Sequence, residues 1–352
     1  MSGRLDLRRG IVVSADPLVV EVEGQERRAW ADSGLVGEMR EGDEVVVNAA
    51  ALDLGLGSGG FDVVHVNLTR GLGGGVEGDA HVMKLNYTSL QHPVEPVEAA
   101  SSVDGPVTAD IEQFSAHQPT VPVAVLPLHG HLAPAAWAAA QAWPGTRVGY
   151  VQTAGGALPG SLSRDVATLR ERGLLAGHIT AAPSYGGEHE ALSTVGALDA
   201  AARSLGWDAV LVGPGPGIIG SDTEFGHGGM EALNSAHAAL SLKLPTILSP
   251  RLSSADPRER HRGLSHHTAT VLELLLAPVT VAIPESAADL ASQISGASVG
   301  LHRAEPVPVD LDSYAASGLP TKTMGRTLAE DPLFFEAPLA AGARMVASRG
   351  FH

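Results

Sequence analysis

Ala209-Val-Leu-Val-Gly-Pro-Gly-Pro-Gly217 decides the architecture: four apolar residues stop abruptly at a loop that alternates glycine with proline. Such a run is too short for a helix and has no polar alternation, so it reads as a strand buried on both faces. The loop continues through Ile218-Ile-Gly-Ser-Asp-Thr-Glu-Phe-Gly-His-Gly-Gly-Met-Glu231. A helix is expected near Gly228, where Met230, Leu233, His237, Leu240 and Leu244 recur every three or four residues. The same grammar repeats on both sides. Pro245-Thr-Ile-Leu248 leads through a long loop into a helix from Ser265, and Val279-Thr-Val-Ala-Ile283 follows it. Upstream stand Val121-Pro-Val-Ala-Val-Leu126 with a helix from about Ala133, Arg147-Val-Gly-Tyr-Val-Gln152 with one from Ser161, and Ala176 to Ala181 with one from Glu188. Six such units predict an α/β fold with a doubly wound, mostly parallel sheet and right-handed crossovers.

The first part of the chain differs. Ile11-Val-Val13, Leu18-Val-Val-Glu-Val22, Glu44-Val-Val-Val-Asn48 and Asp62-Val-Val-His-Val66 are short β-like runs separated by turn residues such as Asp16-Pro17 and Glu41-Gly-Asp43. They predict a small β-barrel-like domain over residues 1–95. A segment rich in proline, glutamate and serine, 96–120, is expected as a linker. The Rossmann-like domain then covers 121–300, and 301–352 forms a C-terminal extension with a terminal helix from Leu333 to Ala347.

Composition narrows the chemistry. The 352 residues include no cysteine, so disulfides, thiolate metal sites and cysteine nucleophiles are excluded, and any metal must sit on His, Asp or Glu. A formal charge of −16 argues against general nucleic-acid binding, which needs a basic surface to release counterions. The apolar stretch Val271 to Ile283 is broken by Glu273 and Pro278 and is too short for a membrane helix. No signal peptide is visible, and a cytoplasmic location is expected. Within this acidic chain Arg251, Arg258, Arg260 and Arg262 crowd into one loop, a cationic nest suited to a small anion. Asp256 and Glu259 offer the competing reading, in which the arginines are paired within the loop.

Ligands of open parallel sheets bind beyond the carboxyl ends of the strands, so the loops after each strand are the place to look. Eight of the 15 histidines lie in or near these loops. Gly213, Gly215 and Gly217, with Ser221, Arg258 and Arg260, are expected to hold an anionic substrate. His227, Glu224, His266 and His267 are the candidate catalytic groups. His266 and His267 follow Ser265, a natural N-cap, and stand at the positive end of a helix dipole that disfavours their protonation. His129 and His131, two apart in extended backbone, together with Asp222 are candidate ligands for zinc, manganese or magnesium. Ser221-Asp-Thr-Glu224 also fits a helix capping box. Ser184 and Ser221 are hydroxyl candidates by position alone, since no Gly-x-Ser-x-Gly elbow is present.

Leu128-His-Gly-His131, Gly213-Pro-Gly-Pro-Gly217, Phe225-Gly-His-Gly-Gly-Met-Glu231, Arg258-Glu-Arg-His-Arg-Gly-Leu-Ser-His-His267 and Met324-Gly-Arg326 together resemble a bacterial family known as domain of unknown function 3866. The resemblance spans nearly the whole chain. It implies one functional unit and no particular activity.

The residues themselves point to an enzyme acting on a small phosphate- or carboxylate-bearing substrate by hydrolysis or group transfer. The alternative is a non-catalytic module that senses a nucleotide or metabolite in the same crevice. Neither reading fixes the oligomeric state, and a homo-oligomer is compatible with both.

Overall fold

The computed structural model describes residues 4–57, 59–74, 80–100, 120–296 and 302–347. The chain divides into two compact units, Met1–Glu95 and Pro96–His352.

In the first unit β1 (Leu7–Ala15), β2 (Leu18–Val22), β3 (Gln25–Trp30), β4 (Glu44–Asn48) and β5 (Asp62–Asn67) close into a barrel in the order β1-β2-β3-β5-β4. Its fully buried core is all valine: Val12, Val20, Val22, Val36, Val45, Val47 and Val64. Branched side chains at alternate positions fill a narrow interior while the intervening residues face outward, as a period of two requires. β3 had no apolar run to announce it. Its Arg27 instead bridges to Asp62 of the parallel neighbour β5, with Nη2 to Oδ1 at 2.9 Å. A two-stranded ladder of β6 (Val82–Lys84) and β7 (His92–Val94) belongs to the same unit.

The second unit is built on β8 (Val123–Val125), β9 (Val148–Thr153), β10 (Gly177–Ala181), β11 (His189–Ala191), β12 (Ala209–Pro214), β13 (Thr246–Leu248), β16 (Thr280–Pro284) and β17 (Arg303–Val307). These eight strands form one all-parallel sheet in the order β11-β10-β9-β12-β8-β13-β16-β17. A small antiparallel ladder, β14 (Leu252–Ser253) with β15 (Gly263–Leu264), sits within the loop after β13. Successive strand residues alternate between two cores. Leu126, Tyr150, Leu211, Ile247 and Ala282 pack with helices Leu132–Ala142, Arg164–Glu171 and Pro332–Ala347. Val125, Val151, Val210, Val212, Leu248 and Val281 pack with helices Thr194–Arg203, Glu231–Ser241 and His266–Leu274. The doubly wound α/β expectation therefore holds.

Details differ from the sequence reading, for physical reasons. The sheet has eight strands because two short edge strands, β11 and β17, carry polar residues and lack an apolar run. The helix expected from Glu188 starts at Thr194, capped by Ser193, whose Oγ accepts Gly196 N–H at 2.9 Å. The wall of Glu231–Ser241 is not the stripe of larger residues. Ala232, Ser235, Ala236, Ala238 and Ala239 are buried, because small side chains let the helix lie close to the strands, whereas Met230, Leu233 and Leu240 pack at its margin. His237 accepts the Leu276 N–H at 3.2 Å. Residues 302–347 are integral to the sheet unit, supplying β17 and the helix that covers Leu132–Ala142. Of the expected linker, 101–119 lies outside the described residues, and Val97–Ala100 is helical.

Candidate functional site

β8 and β12 are neighbours, yet the chain leaves them toward opposite faces: after β8 into Leu132–Ala142, after β12 into Glu231–Ser241. Divergence of this kind opens a crevice at the carboxyl edge. A cavity of about 520 Å³ occupies it, walled by the loops after β8, β12 and β13 and closed by Thr323, Met324 and Phe334.

Its basic wall is organised by Asp256, which is fully buried. Arg258 grips it with two hydrogen bonds, Nε to Oδ1 at 3.0 Å and Nη2 to Oδ2 at 3.1 Å, while Arg251 Nη2 reaches Oδ2 at 3.4 Å. Arg326 Nη2 stands 3.6 Å from the same oxygen and gives its Nε–H to buried Asp331 at 2.9 Å. Burial alone would raise the Asp256 carboxyl pKa, but the Arg258 hydrogen bonds and charge outweigh that and hold it below the ordinary range. Three guanidinium groups thus share two carboxylates. Arg251, 3% exposed, has its pKa lowered to about 10 by burial and then by the Arg258 charge, and keeps a buried Nε–H with no hydrogen-bond partner among the described residues.

Beside it stand four imidazoles. His227 and His267 stack with ring centroids 3.5 Å apart and planes 7° from parallel, and His266 lies 4.4 Å from His267 and 4.8 Å from His261. Burial lowers all four pKa values. His261 falls to about 3 with help from the Arg251 charge, and His267 to about 2 with help from His227. His266 is lowered by burial and then Arg260, and His227 by burial against the opposing Glu224 hydrogen bond. The rings are neutral at physiological pH. Ser265 caps the helix, accepting the His267 N–H at 3.3 Å, and its Oγ also lies 2.7 Å from His261 Nδ1.

The sequence candidates divide accordingly. His227, His266, His267, Gly217, Asp222, Arg258, Arg260 and His129 line the cavity. Glu224 lies on the exposed turn, and its backbone carbonyl, not its carboxylate, faces His227 Nε2 at 3.0 Å. Ser221 is no N-cap: its Oγ donates to Gly226 O at 2.9 Å, no helix follows, and Glu231–Ser241 begins only after a 3-10 turn at Gly228–Met230. Ser184 Oγ donates to Thr153 O at 2.8 Å in the interior. Gly213 and Gly215 are packing glycines. A Cβ on Gly213 would lie 2.6 Å from Leu126 O, and one on Gly215 would lie 2.2 Å from Ala157 O.

The proposed metal set does not assemble. His129-Gly-His131 is a 3-10 turn and not an extended strand, so the two rings diverge. His129 Nε2 meets Ser163 Oγ at 2.8 Å and its Nδ1 meets Pro214 O at 3.2 Å, whereas buried His131 turns Nδ1 to Ser249 Oγ at 2.9 Å. Asp222 is exposed and pairs with Arg260, Nη2 to Oδ1 at 2.6 Å. The imidazoles that do converge are His261, His266 and His267, each with a ring nitrogen within 4.8 Å of the others. His261, Arg251 and Asp256 carry no individual site role in the sequence reading, where Arg251 stands only as one of four loop arginines and Asp256 as their competing partner. Only the crowding of His and Arg between 251 and 267 signalled them.

A family model described as "Protein of unknown function (DUF3866)" matches residues 28–342, which include every residue of the cavity. The chain belongs to the DUF3866 family. No curated protein and no solved structure matches this DUF3866 member. Among its described residues no helix is long and apolar enough to cross a membrane.

Proposed function

We propose that this crevice is the active site of a cytoplasmic enzyme that takes a small phosphate- or carboxylate-bearing substrate and acts by hydrolysis or group transfer. One observation carries the reading: Arg251 is a buried cation with an unpartnered Nε–H in a cavity wall where guanidinium groups outnumber carboxylates. A buried unpaired donor on a charged group is costly, and an oxyanion supplies both the acceptor and the missing charge. The acidic surface disfavours nucleic acid as the partner, so the anion is a small molecule. His227 and His267 line the same cavity.

The depression of the imidazole pKa values supports the second reading, a ligand-sensing module. Rings that resist protonation this strongly are weak proton acceptors. Product formation from a bound substrate separates the two.

The test is calorimetry with inorganic phosphate at fixed salt. Arg251→Lys keeps a charge but loses the planar fork, and should weaken binding by about tenfold to hundredfold. Arg258→Ala should cost about tenfold. Arg260→Ala should cost less than about fivefold, because its pair with Asp222 is exposed. No binding of phosphate or simple carboxylates by the wild-type chain, or equal affinity in all variants, overturns the reading.

A further inference from the structure

The arginine network accounts for only one of the three converging rings, His267, which accepts from Arg251 Nη1, and leaves His261 and His266 unexplained. The three come from two elements, the 3-10 turn Glu259–His261 and the first turn of His266–Leu274. His261 is anchored through Nδ1 by Ser265 Oγ, which leaves Nε2 as its free ligand atom. His266 Nε2 is buried and has no hydrogen-bond partner among the described residues. An orphaned ring nitrogen beside two more imidazoles, one of them already anchored on its second side by Ser265, has the organisation of a metal site.

We propose that His261, His266 and His267 form a three-histidine site for a divalent ion of the zinc class, with a coordination position left open on the cavity. The donor set selects the ion. Imidazole suits zinc, cobalt, nickel and copper, whereas magnesium and calcium need oxygen ligands, and the nearby carboxylates Asp256 and Asp222 are held by arginines. Zinc–nitrogen bonds of about 2.0–2.1 Å place ligand nitrogens about 3.4 Å apart in a tetrahedron, within reach of side-chain rotation from the present spacing. Arg251 opposes the third ligand, because its Nη1 donates to His267 Nδ1 at 3.1 Å and so leaves the ring proton on Nε2. Coordination through Nε2 moves that proton to Nδ1 and turns Arg251 away. The surrounding positive charge favours an anionic fourth ligand. The site shares its cavity with the anion reading but does not depend on it, since either ligand can bind alone.

The full chain, stripped with chelator and titrated with Co²⁺, tests the assignment. One equivalent should bind and give the intense visible bands of a four- or five-coordinate ion. His261→Asn, His266→Asn and His267→Asn should each weaken binding at least about tenfold. His189→Asn, outside the cavity, should leave it unchanged. Circular dichroism confirms the fold of each variant, and a Gln replacement substitutes for any Asn variant that fails it. Absence of Co²⁺ binding, the faint bands of a six-coordinate ion, or binding that survives all three substitutions overturns the site. Phosphate affinity is scored separately: its loss with Co²⁺ binding intact overturns the anion reading alone, and the converse overturns the metal site alone.

Discussion

Arg251 Nη1 lies 3.1 Å from His267 Nδ1, in a hydrogen bond where only the arginine can donate. A guanidinium has no acceptor, so the contact assigns the tautomer: His267 carries its proton on Nε2 and offers it to the cavity. Its stacked neighbour is fixed in the same sense. His227 Nε2 must donate to Glu224 O, which leaves buried Nδ1 as an unused lone pair. Both rings of the stack therefore carry their proton on Nε2.

Acidification should destabilise the chelator-stripped protein above the ordinary carboxylate range. His227, His261, His266 and His267 all have pKa values lowered in the folded chain, whereas the same residues in the unfolded chain protonate near about 6.5. The unfolded state then binds more protons. The stability contributed by these groups is complete above about pH 6.5 and is lost progressively as pH falls toward the folded values, about 3 for His261. The thermal midpoint should drop between pH 7 and 5 while the imidazole NMR signals of His261 and His267 in the folded chain stay in place. A midpoint that holds steady or rises over that range would contradict the buried, neutral cluster.

Asp256→Asn should cost about 3–5 kcal/mol in urea unfolding. The change removes one partner of a buried pair and leaves Arg251 and Arg258 facing an amide. A loss below about 1 kcal/mol would mean that water already screens these arginines.

Gly215→Ala and Gly217→Ala separate packing from backbone conformation. At Gly215 the new Cβ would meet Ala157 O at 2.2 Å and Gln152 Nε2 at 2.7 Å, an overlap that costs about 1–3 kcal/mol or more. Gly217 has open space around it but a φ of +69°, so alanine there costs about 1 kcal/mol. Thermal melts should rank Gly215→Ala as the more damaging. The reverse order would remove the argument that the loop is held by close backbone approach.

The parallel sheet was legible because β8 and β12 at its centre are uninterrupted aliphatic runs ending in Pro and Gly, and the edge rule then located the crevice. β11 and β3 were not legible, since neither is apolar enough to show a period. The metal set failed at His129 and His131 because a 3-10 turn and an extended segment look alike across three residues. Ser221 failed for a related reason: a capping box needs a helix to cap, and the glycines that follow put a turn there, with Asp222 at a φ of 58°. Pairing of Asp256 with arginines is the competing explanation for the basic loop. The structure contains that pairing and still leaves Arg251 Nε–H without a partner.

Asp331 receives Ser253 Oγ and Ser254 N–H, each at 2.7 Å, and with Arg326 it ties the segment carrying Thr323, Met324 and Phe334 to the loop after β13. The histidines and arginines are translated well before these residues. A nascent chain can therefore complete the inner strands, through β13 and β16, while its binding groups still lie open to water. The segment before the helix Pro332–Ala347 supplies the closing wall of the crevice, so the wall is the last part of the site to be synthesised.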